Sequence, residues 1–284
     1  MKTSDRQRPP PGELFLDHVS HFVPDLDAAA ALLEKLGFVV TPASHQETGE
    51  GPVGASNRCV MLEEGYIELL TPTHDTPAAQ RMRASMARFV GVHLACFGTP
   101  DAEGEHRRLA SHGFAPQPMV DLGRKVERQA QVRFRVVRPA PGQMPEGRIQ
   151  FVEQLTPEAI WTEKNLSHRN EVTGLKALYV AAGDLAQTAA RWARFTGMLP
   201  RREGALVCLR AARGQVLIGT EEALSKTVGT VPSAPALAGY ALACRHPKKL
   251  AERCRALGLA VRKTAAGHAI SLPPALGGVW LLIE

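Results

Sequence analysis

One pattern recurs four times along this chain, and any fold must accommodate all four copies. Each copy begins with an apolar strand-like segment, passes a helix-starting residue, runs through a short helix to a glycine, and continues in extended segments. In the first copy the strand spans 15–23. Asp25 is placed to cap a helix over 26–36, Gly37 to stop it, and extended segments follow at 38–44, 58–63 and 66–71. In the second the strand spans 90–97, Asp101 caps a helix to 112, Gly113 stops it, and strands follow near 117–122, 131–138 and 148–155. The third runs from strand 175–182 through Asp184, a helix to 196 and Gly197 to strands 205–210 and 215–219. The fourth has strand 239–244, helix 247–257, Gly258 and strands 260–264, 269–272 and 279–283. Each copy is a βαβββ unit. The segment 222–235, with Pro232 and Pro235, reads as the connection between units three and four. The stretch 157–173 reads as the linker between two pairs of units. The expected organisation is a flexible, charged, proline-rich tail over 1–12 and domains over 13–160 and 173–284, with the boundary near 160–172.

A phrase within the first two units points to chemistry. Tyr66-Ile67-Glu68-Leu69-Leu70-Thr71-Pro72 is echoed by Phe151-Val152-Glu153-Gln154-Leu155-Thr156-Pro157. A carboxylate inside an apolar strand is costly unless it is paired or binds a metal. Each phrase also follows a strand carrying a histidine, His18 or His93. A duplicated His…Glu pair suggests one site assembled from two related halves. The second pair of units lacks it: Ala177 and Tyr240 align with His18, and Leu217 and Leu281 align with Glu68. Chemistry is therefore expected within 14–157. The register contains one mismatch. His18 lies seven residues before Asp25, whereas His93 lies eight before Asp101. Side chains alternate along a strand, so one extra residue reverses facing unless a bulge or a turn at Gly98-Thr99-Pro100 absorbs it.

Composition excludes several functions. A chain of 284 residues with 44% hydrophobic and 22% charged residues can build about two domains with sizeable cores. The net charge is +6, but Lys and Arg are scattered and aromatics are only 5%, so nucleic-acid binding has no support. The odd number of cysteines, five, and the absence of a CxxC point to buried free thiols and a cytoplasmic location. The N-terminal segment has no apolar stretch of the signal-peptide kind, and no apolar run reaches the roughly 18 residues of a membrane span. There is no phosphate loop, dinucleotide fingerprint or nucleophile elbow.

The arrangement resembles the vicinal oxygen chelate superfamily, which includes glyoxalase I and the extradiol dioxygenases, and within it the glyoxalase-like domain proteins. The residues carrying the likeness are Leu16-Asp17-His18-Val19 with Pro24-Asp25-Leu26-Asp27, Ser56-Asn57-Arg58, and Tyr66-Ile67-Glu68-Leu69-Leu70. Val132-Arg133-Phe134-Arg135, Gln150-Phe151-Val152-Glu153 and His168-Arg169-Asn170 add to it. The resemblance implies an α+β fold in which four βαβββ units pair into two domains with curved, cup-forming mixed sheets. It implies a metal site of His18, Glu68, His93 and Glu153, suited to Zn, Ni, Mn or Fe(II), with open positions for water or a substrate oxygen. The implied activity is that of a metal-dependent lyase, isomerase or dioxygenase acting on a small substrate with vicinal oxygens. Glu68 or Glu153 would serve as the base.

The alternative is a metal-free protein that binds or sequesters a small molecule, with the two glutamates paired to arginines or water. A homodimer is compatible with either. For substrate, Arg133 and Arg135 share a strand face and could grip a carboxylate or phosphate if that face lines the cup; if it faces outward they are solvated. The Ser56-Asn57-Arg58 turn could place Asn57 or Arg58 at the cup mouth. His21 is a ligand or wall residue. His45 lies in the glycine-rich loop 45–55, which is either a lid or an ordinary surface loop.

Overall fold

The helix starts read from the sequence have a physical basis in their caps. In a computed structural model describing residues 3–48, 51–125 and 131–284, Asp25 accepts from the backbone N–H groups of Asp27 and Ala28 and opens α1 (Leu26–Lys35). Asp101 accepts from Gly104 N and opens α3 (Ala102–Ser111). Asp184 does the same through Gln187 N for α5 (Leu185–Thr196), which ends at Gly197 with φ 74°. The fourth unit's helix, α7 (Pro247–Ala256), starts at a proline instead, whose fixed φ suits a first turn.

The strands of the first two units are β1 (Phe15–Phe22), β2 (Ser44–Thr48), β3 (Gly51–Met61), β4 (Tyr66–Pro72), β5 (Gly91–Gly98), β6 (Val120–Lys125), β7 (Gln131–Val137) and β8 (Arg148–Gln154). They form one sheet in the order β1-β4-β3-β2-β6-β7-β8-β5, curled into a closed barrel. β2 and β6 close it, with Glu47 paired to Gly123 among the described residues. The expected lid loop is largely the β2–β3 hairpin; Gly49 and Glu50 lie outside the described residues.

The second two units supply β9 (Val172–Ala181), β10 (Pro200–Glu203), β11 (Leu206–Arg210), β12 (Gln215–Gly219), β13 (Ala236–Cys244), β14 (Ala260–Thr264), β15 (Gly267–Ser271) and β16 (Val279–Ile283). Their sheet, β10-β11-β12-β9-β13-β16-β15-β14, stays open. The fold is thus α+β, with four βαβββ units paired into two curved mixed sheets.

Besides the one-turn α4 (Glu163–Leu166) in the linker, two longer helices lie where the repeat has none. Thr76 caps α2 (Pro77–Arg88) between units one and two, and Thr220 caps α6 (Glu221–Val228) within the stretch read as a connection. Their apolar residues explain them. Met82 of α2 packs with the barrel-lining Phe22, Leu70, Leu94 and Val152. Leu224 and Val228 of α6 fill the concave face of the open sheet, against Ala177, Tyr179 and Leu281. Arg262 of β14 holds α6 in place by donating to the carbonyls of Ser225 and Lys226.

The two sheets share one core. Val19, Phe97, Leu178, Tyr240 and Trp280 belong to a single buried cluster spanning both. His21 of β1 crosses the boundary, its ring within hydrogen-bond distance of Leu276 O at 2.9 Å and Tyr240 Oη at 2.8 Å. Glu146, fully buried, pairs with Arg191 of α5. Residues expected as a loose tail are docked: Gln7 is fully buried and donates to Glu63 O, and Arg8 donates to Gln154 O and Leu155 O. Among the described residues no helix is long and apolar enough to cross a membrane.

Candidate functional site

The site is built from side chains that alternate into the barrel. On β1 these are His18, Ser20 and Phe22; on β4, Tyr66, Glu68 and Leu70; on β5, Leu94 and Cys96; on β8, Arg148, Gln150 and Val152. β1 and β4 run parallel with Ser20 beside Glu68. The Glu68 carboxylate accepts from Ser20 Oγ at 2.5 Å and from Asn57 Nδ2 of β3 at 2.6 Å. His18 stacks on Tyr66 with ring centroids 4.3 Å apart, and its Nε2 stands 4.0 Å from Glu68 Oε2. Its other ring nitrogen, Nδ1, is 2.6 Å from Asp17 Oδ1. Asp17 is fully buried and also accepts from Gln154 Nε2 at 3.3 Å.

Asp17 reaches this position because it is the extra residue of a bulge. Leu16 pairs with Phe97 and His18 with Cys96, which leaves Asp17 without a partner across the ladder. Burial disfavours a charged His18, but the Cys96 sulfur and the Asp17 carboxylate more than offset it and raise the imidazole well above its ordinary range. Burial, with Asp17 and Glu68 nearby, likewise raises the Tyr66 phenol.

The second half of the expected chelate does not come together with the first. β5 carries a matching bulge: Ser20 pairs with Leu94 and His21 with Val92, so His93 is the extra residue. His93 is therefore the counterpart of Asp17, and Leu94 is the counterpart of His18. The His93 ring is 2.7 Å from Phe89 O and stacks on the Phe89 ring; burial lowers its pKa. The same register sets Cys96 beside Gln150 as Ser20 lies beside Glu68, so Gln150 is the counterpart of Glu68. Glu153 lies three residues further along β8, on the opposite face, where it accepts from Ala102 N at the start of α3. The echo of 66–72 in 151–157 is thus out of step with the register.

Among the described residues no three His, Cys, Asp or Glu side chains are placed to hold a metal ion. The donor set does not fit the expected four-ligand site, because Leu94 and Gln150 replace two of its members.

The expected substrate arginines also lie elsewhere. Arg58 is tied to Thr41 O and to Asp27 and Glu34 of α1. Arg133 is exposed, and Arg135 pairs with Asp121 and Glu103 outside the barrel. The inward positions of β7 are Val132, Phe134 and Val136. His45 is exposed and 2.7 Å from Ser56 Oγ. In the open sheet Ala177, Leu217 and Leu281 line the concave face, as aligned. Tyr240 does not: bulges at Lys176 and Ala238 make Gly239 the counterpart of His18 and turn Tyr240 into the shared core.

Sequence reading missed Asp17, Gln150, Arg138 and Arg148. The barrel interior around His18, Glu68, Arg148 and Gln150 is nearly full, leaving about 20 Å³, room for about one water. A larger cavity, about 310 Å³, opens at the end of the barrel beneath α2. It is lined by Phe22, Met82, Met144 and Ile149 among apolar residues, and Arg148 lines both spaces.

The glyoxalase-like domain family model matches residues 16–196. No curated protein matches the chain by sequence. Among solved structures, a hypothetical protein from Staphylococcus aureus superposes with TM-score 0.67 at 12% identity, covering 95% of this chain and 100% of its own. A variant of 4-hydroxymandelate synthase from Streptomyces coelicolor gives 0.53 at 14%, covering 95% and 92%. A Mn(II)-bound glyoxalase from Novosphingobium aromaticivorans gives 0.58 at 10%, covering 95% and 81%. At these identities the structural likeness speaks to fold alone, but the family match spans more than half of the sequence. The chain belongs to the glyoxalase-like domain family.

Proposed function

We propose that this protein binds a small molecule at the α2 end of its N-terminal barrel without a four-residue metal chelate. One observation carries the reading: Leu94 and Gln150 stand at the positions where the second unit would have to repeat His18 and Glu68. What remains is a polar barrel centre, in which Ser20 and Asn57 donate to Glu68 and Asp17 meets His18, beside a cavity of about 310 Å³, at the lower end of the range for small-molecule sites.

A second reading, catalytic rather than binding, draws on the Asp17–His18 pair. A buried carboxylate fixes Nδ1 and orients Nε2 toward Glu68, an arrangement suited to moving a proton at Nε2. The space beside it holds about one water, so a substrate would have to reach it from the larger cavity past Arg148.

The test of the chelate-free reading is metal analysis of protein purified without a histidine tag and supplied with Mn, Ni, Zn or Fe(II). We expect no stoichiometric metal. One ion per chain, lost on Glu68→Gln, would overturn it.

A further inference from the structure

We propose that the cavity between α2 and the 138–147 segment is a site for a small organic anion, a carboxylate or phosphate head on a short apolar body. This inference rests on the binding reading above and supplies its ligand class.

Four arginines line the cavity: Arg81 and Arg88 on α2, Arg138 just past β7, and Arg148 at the start of β8. Arg88 donates to Pro235 O at 2.7 Å, and Arg148 Nε donates to Gln150 Oε1 at 3.1 Å. Among the described residues none of the four makes an ion pair with a carboxylate. Elsewhere Arg58, Arg108, Arg135, Arg191, Arg210 and Arg245 all do. Arg138 Nε is buried with no hydrogen-bond partner among the described residues. Burial, together with repulsion from Arg148 and Arg81, pushes Arg138 down to about 9; it stays protonated at neutral pH. Burial acts the same way on Arg148, with Glu68 and Cys96 partly opposing it.

Like charges held together in a partly desolvated cleft are unfavourable until an anion joins them. A guanidinium fork fits both carboxylate and phosphate oxygens. Phe22, Met82, Met144 and Ile149 supply apolar wall beside Ser85 and Gln117 and suit an apolar body, not a second charge. The strand pattern explains how the charge arrives there. Val132, Phe134 and Val136 alternate inward along β7, and Arg138 continues that face beyond the strand's end. Arg148 stands where Tyr66 stands in unit one.

The experiment is calorimetric titration of the full chain at low ionic strength with phenyl phosphate, phenylacetate and uncharged phenylacetamide. We expect at least one of the two anions to bind one per chain, and phenylacetamide to bind about tenfold more weakly or not at all. Whichever anion binds more tightly assigns the head group. Arg81→Gln and Arg138→Met should each weaken the anion by about tenfold, while Arg201→Gln, a charge-matched change on β10, should not. Arg81 is exposed on a helix, so its variant keeps the test informative if Arg138→Met fails to fold. Equal binding of all three probes, or equal loss in Arg201→Gln, would overturn the anion inference and leave the binding reading standing. No binding by any probe would overturn both.

Discussion

Asp17 shows how one backbone irregularity determines a site. As the extra residue of a bulge it places a carboxylate behind His18, where regular alternation would turn it away from the imidazole. Removing that charge should change the histidine. Asp17→Asn removes the negative charge that favours the imidazolium and leaves only a weaker, neutral acceptor for Nδ1. The His18 ring should therefore titrate at lower pH than in the wild type, read by NMR of the ring protons; an unchanged titration would show that Asp17 does not control it. The same irregularity defeats direct reading of His93. It shares the bulge position with Asp17, so its place in an apolar strand near a histidine-like phrase says nothing about facing the barrel.

At the scale of elements, α2 and α6 meet the two sheets in different ways. α2 covers the end of the barrel and leaves a cavity; α6 enters the concave face of the open sheet and fills it. Ala177, Leu217 and Leu281 of that face are buried with it. Leu224 is fully buried there. Leu224→Ala should cost about 2–5 kcal/mol, the range for deleting a buried leucine side chain, measured by denaturant unfolding. A loss below about 0.5 kcal/mol, the scatter of surface substitutions, would mean that α6 does not plug the sheet. Both helices begin at a threonine cap and carry their apolar residues on one side, but they are short and polar enough to pass for connections once the eye follows the βαβββ repeat.

At the scale of the whole molecule, the shared core makes stability a joint property of both halves. His21 links them through Leu276 and Tyr240. Burial lowers its pKa from 6.5 to about 4, with the bond to Leu276 O opposing. The unfolded chain takes up a proton below 6.5 that the folded one refuses until about 4. His21 therefore removes stability as the pH falls through that window and has no such effect above it. His18, raised, has the opposite sign: its contribution is full below 6.5 and fades as the pH rises through its folded value. Comparing wild type with His21→Asn isolates the first effect. The variant should cost less at pH 5 than at pH 7, by about 2 kcal/mol, in urea unfolding at the two values. A cost independent of pH would show that His21 protonates freely in the folded state.

Sequence alone determined the repeat, the order of elements within each unit and the family. Capping aspartates, stop glycines and apolar period are local signals, and four copies of them reinforce one another. It also singled out His18 and Glu68, since a histidine and a carboxylate inside apolar strands are costly unless something meets them. Tertiary structure decided the rest. Which residue opposes which across a sheet depends on bulges at Asp17 and His93, and a single inserted residue reverses every side chain beyond it. That put Leu94 and Gln150 where His93 and Glu153 were expected, turned Arg133 and Arg135 outward, and brought Arg81, Arg138 and Arg148 to one cavity from three separate elements. No spacing along the chain encodes that meeting, because it exists only once the barrel has closed and α2 has settled over its end.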